Sequence, residues 1–173
     1  GTGGQNDFSF VILRAGGISA NTTINFTDNG YKIAGTNALN TVEGTLVWTS
    51  TSAMAQFTQV YIKVEPNAGA SILALSAGSI AGGFSNFILS QAGDQVLAYQ
   101  GSSASPTFIS AIHMNSDPGS TAAGWDNMAS GTTLTQNRSD LPPGLTTGVN
   151  CVVPDPNIGS SEKDNGIYNC TGS

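Results

Sequence analysis

The stretch Asp94–Met114, DQVLAYQGSSASPTFISAIHM, decides the fold. Its two arms are rich in branched, aromatic and small apolar residues, and a polar break at Gly101–Ser105 parts them. That pattern predicts a β-hairpin rather than a pair of helices. In the first arm Val96 and Ala98 point one way while Leu97 and Tyr99 point the other. In the second, Phe108, Ser110 and Ile112 oppose Thr107, Ile109, Ala111 and His113. Both faces are largely apolar, so the ribbon belongs in the middle of a sandwich, covered on at least one side.

Working outward, the same period of two recurs. Asn6–Arg14 (NDFSFVILR) sets Phe8, Phe10 and Ile12 against Val11 and Leu13. Thr22–Asp28, Val42–Thr49, Val60–Glu65, Ser71–Ser76 and Phe84–Ser90 read as further strands, with Tyr31–Thr41 polar and irregular between them. Thr51–Phe57 is a small-residue connector with room for a short helical turn. Strands about every ten residues, separated by turn signals, are the mark of a sandwich or barrel. The expected fold is therefore all-β: one domain over residues 1–173, a two-sheet antiparallel β-sandwich of immunoglobulin-like or jelly-roll-like type. Leu46, Trp48, Phe108 and Ile112 are its expected core, drawn from facing sheets. A long irregular loop near 115–143 carries only Trp125, Met128 and Leu134 as large apolar anchors. Leu141–Leu145 (LPPGL) then turns the chain into a last strand pair, Val149–Val153 and Gly166–Cys170.

Composition narrows the function classes. Hydrophobic residues are 39% and charged residues only 9%, so Ser, Thr, Asn, Gln and the 22 glycines must supply the surface. Little charge is left to keep copies apart, which suits a secreted or self-associating protein. The net charge of −6 with five Lys and Arg in all argues against nucleic-acid binding. No apolar run is long enough to span a membrane. The chain opens at Gly1 without a Met or a signal-peptide pattern, as expected of a chain that is processed, excised or incomplete at that end.

Cys151 and Cys170 are the two cysteines. A disulfide closing the loop between them fits better than a metal site, because His113 is the one histidine. Such a bond implies an oxidising, extracellular setting. The Asn-x-Ser/Thr sequons at Asn21, Asn25, Asn137 and Asn169 matter only if a eukaryote secretes the chain.

DFSFVIL, INFTDNGY, EGTLVWT, GDQVLAYQG with PTFISAI, LPPGLTTGVN and DNGIYNC occur in that order over almost the whole chain. Together they resemble a family of secreted bacterial β-sandwich modules from large surface and extracellular proteins, loosely similar to lamin-tail-type domains. The shared motifs are turn glycines, core aromatics and a Pro-Pro corner, so the resemblance implies a scaffold and transfers no catalytic residue. The family pattern has a further strand ahead of Asn6–Phe8 and often a short helix beyond the final Asn-Cys. The resemblance thus implies that a neighbouring molecule supplies the first strand, unless the sequence given omits it.

Candidate chemistry is sparse. His113 near Ser110 or Ser116 with an aspartate would make a triad, but a lone histidine ending an apolar strand is more often structural. Asp155, Asn157, Glu162 and Asp164 have the ligand chemistry for calcium without EF-hand spacing, and no other cofactor or metal is expected. Tyr31 and Trp125 are candidates for stacking on sugar rings, with burial of Trp125 as a pin for the long loop its alternative use. Phe8, Phe10, Val11, Ile12 and Leu13 are the candidate subunit interface. A strand apolar on both faces wants a neighbour on each side, and strand addition from another copy would provide one. The expected role is a non-enzymatic, extracellular or cell-surface building block of a fibre, filament or layer. A polysaccharide- or surface-binding module of a larger adhesin or hydrolase is the alternative.

Overall fold

In the computed structural model the described residues are 6–65, 71–83, 86–90, 93–114, 124–133 and 137–154. They form an all-β sandwich. Its smaller sheet has the order β1-β6-β7, from Asn6–Val11, Gln59–Glu65 and Ser71–Leu75. Its larger sheet has the order β11-β10-β9-β2-β5-β8, from Cys151–Val152, Ser105–His113, Gln95–Ser102, Thr23–Thr27, Thr45–Thr49 and Ser79–Ala81. A minor hairpin joins β3 (Tyr31–Lys32) to β4 (Ala38–Leu39).

Pairing is antiparallel except at β10–β11, which is parallel. The larger sheet is thus mixed rather than wholly antiparallel, and β11 pairs there with β10. The segment 166–170, expected as its partner, lies outside the described residues. Two other expectations fail locally. Tyr31–Thr41 holds the β3–β4 hairpin, and the strand expected at 84–90 lies instead at Ser79–Ala81. The described part of that segment, 86–90, sends its amides to side chains rather than to a ladder: Ile88 to Asp28, Leu89 to Asn6 and Ser90 to Asp94. No helical turn is seen over Thr51–Phe57; Met54 instead makes an antiparallel bridge with Ile18.

The main core lies between the sheets. Val60, Ile62 and Val64 of β6 face Ile24 and Phe26 of β2, Leu46 and Trp48 of β5, and Val96 and Ala98 of β9. Phe8 and Phe10 of β1 close over it, Phe10 stacking edge-on to Trp48 at 5.0 Å and lying 4.9 Å from Phe26. A second core covers the opposite face of the larger sheet, where Leu97, Tyr99 and Ala111 meet Tyr31, Leu39, Trp125, Leu145 and Cys151. Strand β9 is therefore buried on both faces, as its alternation requires.

Leu46, Trp48, Phe108 and Ile112 all belong to this one larger sheet, so they do not face one another across the sandwich. The facing residues are those of β6. Phe108 and Ile112 also part company: Phe108 pairs with Tyr99 and packs in the second core, Ile112 with Val96 against the first. Ile109 is an extra residue in β10, and this bulge shifts the alternation by one. At the β7–β8 turn Gly78 is the residue the geometry demands. Its φ is +85°, and a Cβ there would lie 2.3 Å from the Trp48 indole nitrogen, which donates to the Ala77 carbonyl at 2.9 Å.

Candidate functional site

Sheet edges are where an all-β domain is open to other chains, because their backbone N–H and C=O groups lack a ladder partner. Among the described residues the two sheets end in four strands, β1, β7, β8 and β11. Three are blunted. β11 has two residues and β8 three. β7 carries Leu73 as a bulged residue, which breaks its register with β6 and twists an edge away from further pairing. β1 has no such device. Its six residues keep one unbroken register with β6, from Asn6↔Val64 to Val11↔Gln59, with no Lys and no Pro.

The sequence NDFSFV builds this strand by alternation. Phe8 and Phe10 turn to the core while Asp7, Ser9 and Val11 face out. Asp7 accepts a hydrogen bond from the Tyr61 hydroxyl at 2.9 Å, across the β1–β6 pair. Asn6 fixes the head of the strand: its amide nitrogen donates to the Phe87 carbonyl at 3.1 Å and its oxygen accepts from the Leu89 amide at 3.0 Å. Beyond Val11, the Ile12 amide donates to Thr58 and the Phe57 amide to Ile12. Phe57 and Thr58 thus both oppose Ile12, a bulge that ends the β1–β6 register there. Leu13 is 69% exposed and Phe57 71%. Phe57 also holds φ at +67°, a left-handed conformation that a bulky L-residue rarely adopts. A strained aromatic in solvent, beside an open edge, is the feature that sequence reading missed. The five residues expected as an interface thus split: Phe8, Phe10 and Ile12 serve the core, while Val11 and Leu13 are exposed.

The head of β1 is tied to a buried acidic cluster. Asp28 and Asp94 are fully buried, and Glu43 lies close enough to both to feel their charge. Asp28 accepts from the Gly44 and Ile88 amides, and Asp94 from the Ser90 and Gln95 amides, so these carboxylates pin 86–90 across the open end of the core. The Gln95 side-chain amide closes the cluster on the Asp28 carbonyl. Burial drives all three acids up, Asp28 to about 7, Asp94 to about 8 and Glu43 to about 9. The backbone N–H bonds to the two aspartates pull the other way but are the weaker influence. Glu43 Oε2 has no hydrogen-bond partner among the described residues, which makes it the natural proton carrier.

His113 is fully buried, its ring stacked on Trp125 at 5.2 Å. Its Nε2 lies 3.4 Å from Asp126 Oδ2, an oxygen that also accepts from the Ser139 amide. Asp126 thus lies beside this histidine without a hydrogen bond to it, and the ring has no exposed surface. Ser110 pairs with Ala98 on the opposite face of the sheet, so it does not join His113, and Ser116 lies outside the described residues. Tyr31 and Trp125 correct the stacking expectation. They are 3% and 1% exposed, with Tyr31 edge-on to Phe108 and Trp125 under His113, so neither offers a face to a sugar. A cavity of about 220 Å³ opens beside Trp125, Asp126 and Asp140, but its buried carboxylates already serve backbone amides.

Cys151 is buried in the second core without a disulfide partner among the described residues, and its expected partner Cys170 lies outside them. The calcium candidates Asp155, Asn157, Glu162 and Asp164 also lie outside. Within the described residues no three acidic, His or Cys side chains are placed to hold a metal ion, and no helix is long and apolar enough to cross a membrane.

Fold and geometry define an all-β sandwich with, among the described residues, one unblunted sheet edge. Compared with protein families, with curated proteins and with solved structures, the chain finds no match in any of the three.

Proposed function

We propose that this chain is a structural building block of an extracellular assembly, a surface fibre, filament or layer whose subunits join through sheet edges. The observation that carries the reading is β1, an edge strand in unbroken register among the described residues, with exposed apolar residues at its end and Asp7 as its single charge. The sparse charge of the chain supports it, since 9% charged residues leave little repulsion between copies. Polysaccharide binding loses its stacking residues to the second core. An extracellular setting carries with it a Cys151–Cys170 bond, worth about 3 kcal/mol if it restrains a loop of roughly 20 residues in the unfolded chain.

Sedimentation velocity from micromolar to millimolar protein tests the assembly. The average mass is expected to rise with concentration, and negative-stain images at the upper end to show particles larger than a monomer. A protein that stays monomeric throughout would sink the proposal.

A further inference from the structure

We infer that the partner at the β1 edge is a second copy offering the same edge, the two strands running antiparallel about a twofold axis near Phe10. This rests on the edge-assembly reading and specifies it. The four edges differ, and that difference limits the partner. A head-to-tail polymer needs two unlike edges that both pair freely, whereas β7, β8 and β11 are bulged or short. With one free edge among the described residues, that edge can satisfy only a copy of itself, and an isologous pair closes.

The charges along the edge favour the same arrangement. Between Asn6 and Arg14 the charged residues are Asp7 near the head and Arg14 at the tail. Antiparallel pairing centred near Phe10 sets Asp7 of each copy opposite Leu13 of the other, with Arg14 the next residue along. Parallel pairing would set Asp7 against Asp7. The antiparallel register also keeps faces in phase, Ser9 opposite Val11 and Phe8 opposite Ile12, so both apolar sets stay on the core side. Each copy brings Leu13 and Phe57 to the flank of the seam, where the exposed apolar surface lies. The result is a continuous sheet β7-β6-β1-β1-β6-β7. Any larger fibre or layer takes this pair as its repeating unit.

A charge-swap cycle read by light-scattering mass and sedimentation tests the inference. Asp7→Arg and Arg14→Glu should each weaken the dimer by roughly a few-fold, since the two exposed charges are neighbours along the seam, and the double variant should restore it. The effect should fade at high salt. Val11→Lys is the second probe, and it should leave monomers that melt like the parent. Dimers that respond in this way support the twofold pair. Polymers, or dimers indifferent to the swap and to Val11→Lys, would overturn it while leaving edge assembly standing. A strictly monomeric parent protein would overturn both.

Discussion

The strands β1 and β7 flank the same central strand of the same small sheet, yet they are built to opposite ends. β1 is in register with β6 throughout, and its phenylalanines reach the aromatic heart of the core. β7 slips by one residue at Leu73, which is 41% exposed. An extra residue costs a strand its regular row of donors and acceptors, and with it the ability to template a neighbour. β7 is thus an edge that ends a sheet. β1 is an edge that invites one.

The largest expected difference is in stability. Phe10→Ala removes a ring packed on Phe26 and Trp48 and should cost about 3 kcal/mol, the low end for a core phenylalanine because Phe10 is only partly buried. Leu73→Ala at the bulge should stay within about 0.5 kcal/mol. Denaturant midpoints check both, and similar losses would erase the contrast.

The second test concerns the acidic cluster that holds 86–90 against the head of β1. Asp28, Glu43 and Asp94 hold protons in the folded chain at pH values where the unfolded chain has released them. Their contribution is complete below the ordinary carboxylate range, near 3.8 to 4.5, and is lost as pH rises through about 7 to 9. Thermal melts should fall by several degrees between pH 5 and pH 9, and Glu43→Gln should flatten that slope. A protein that gains stability over this window contradicts the assignment.

Smaller still is the effect of Phe57→Gly. Relieving a left-handed phenylalanine should recover about 1 kcal/mol. If Phe57 flanks the subunit seam, the same change weakens association. A variant that is both more stable and less associated marks strain retained for contact; one that associates as before removes Phe57 from the seam.

Much of this was legible in the sequence, and the failures have physical causes. The hairpin 94–114 reads correctly because an apolar period of two on both faces has one stable setting. Phase was lost after Ile109, since nothing in PTFISAI marks which residue bulges. The strand expected at 84–90 has strand composition, but Asp28, Asp94 and Asn6 capture its amides from distant positions. Tyr31 and Trp125 look like loop aromatics until the second core forms over Leu97 and Tyr99. Alternation reports which face a residue takes and never which neighbour its backbone finds. The open edge of β1 was therefore inferred from its apolarity, although the decisive feature is its unbroken register beside a bulged β7.

Hydrogen exchange measured at associating and at dilute concentrations tests edge assembly most directly. On association, alternate amides between Asp7 and Leu13 should become protected while those of Ser71–Leu75 stay unchanged. Protection appearing along β7 instead, or nowhere on the small sheet, would contradict the account.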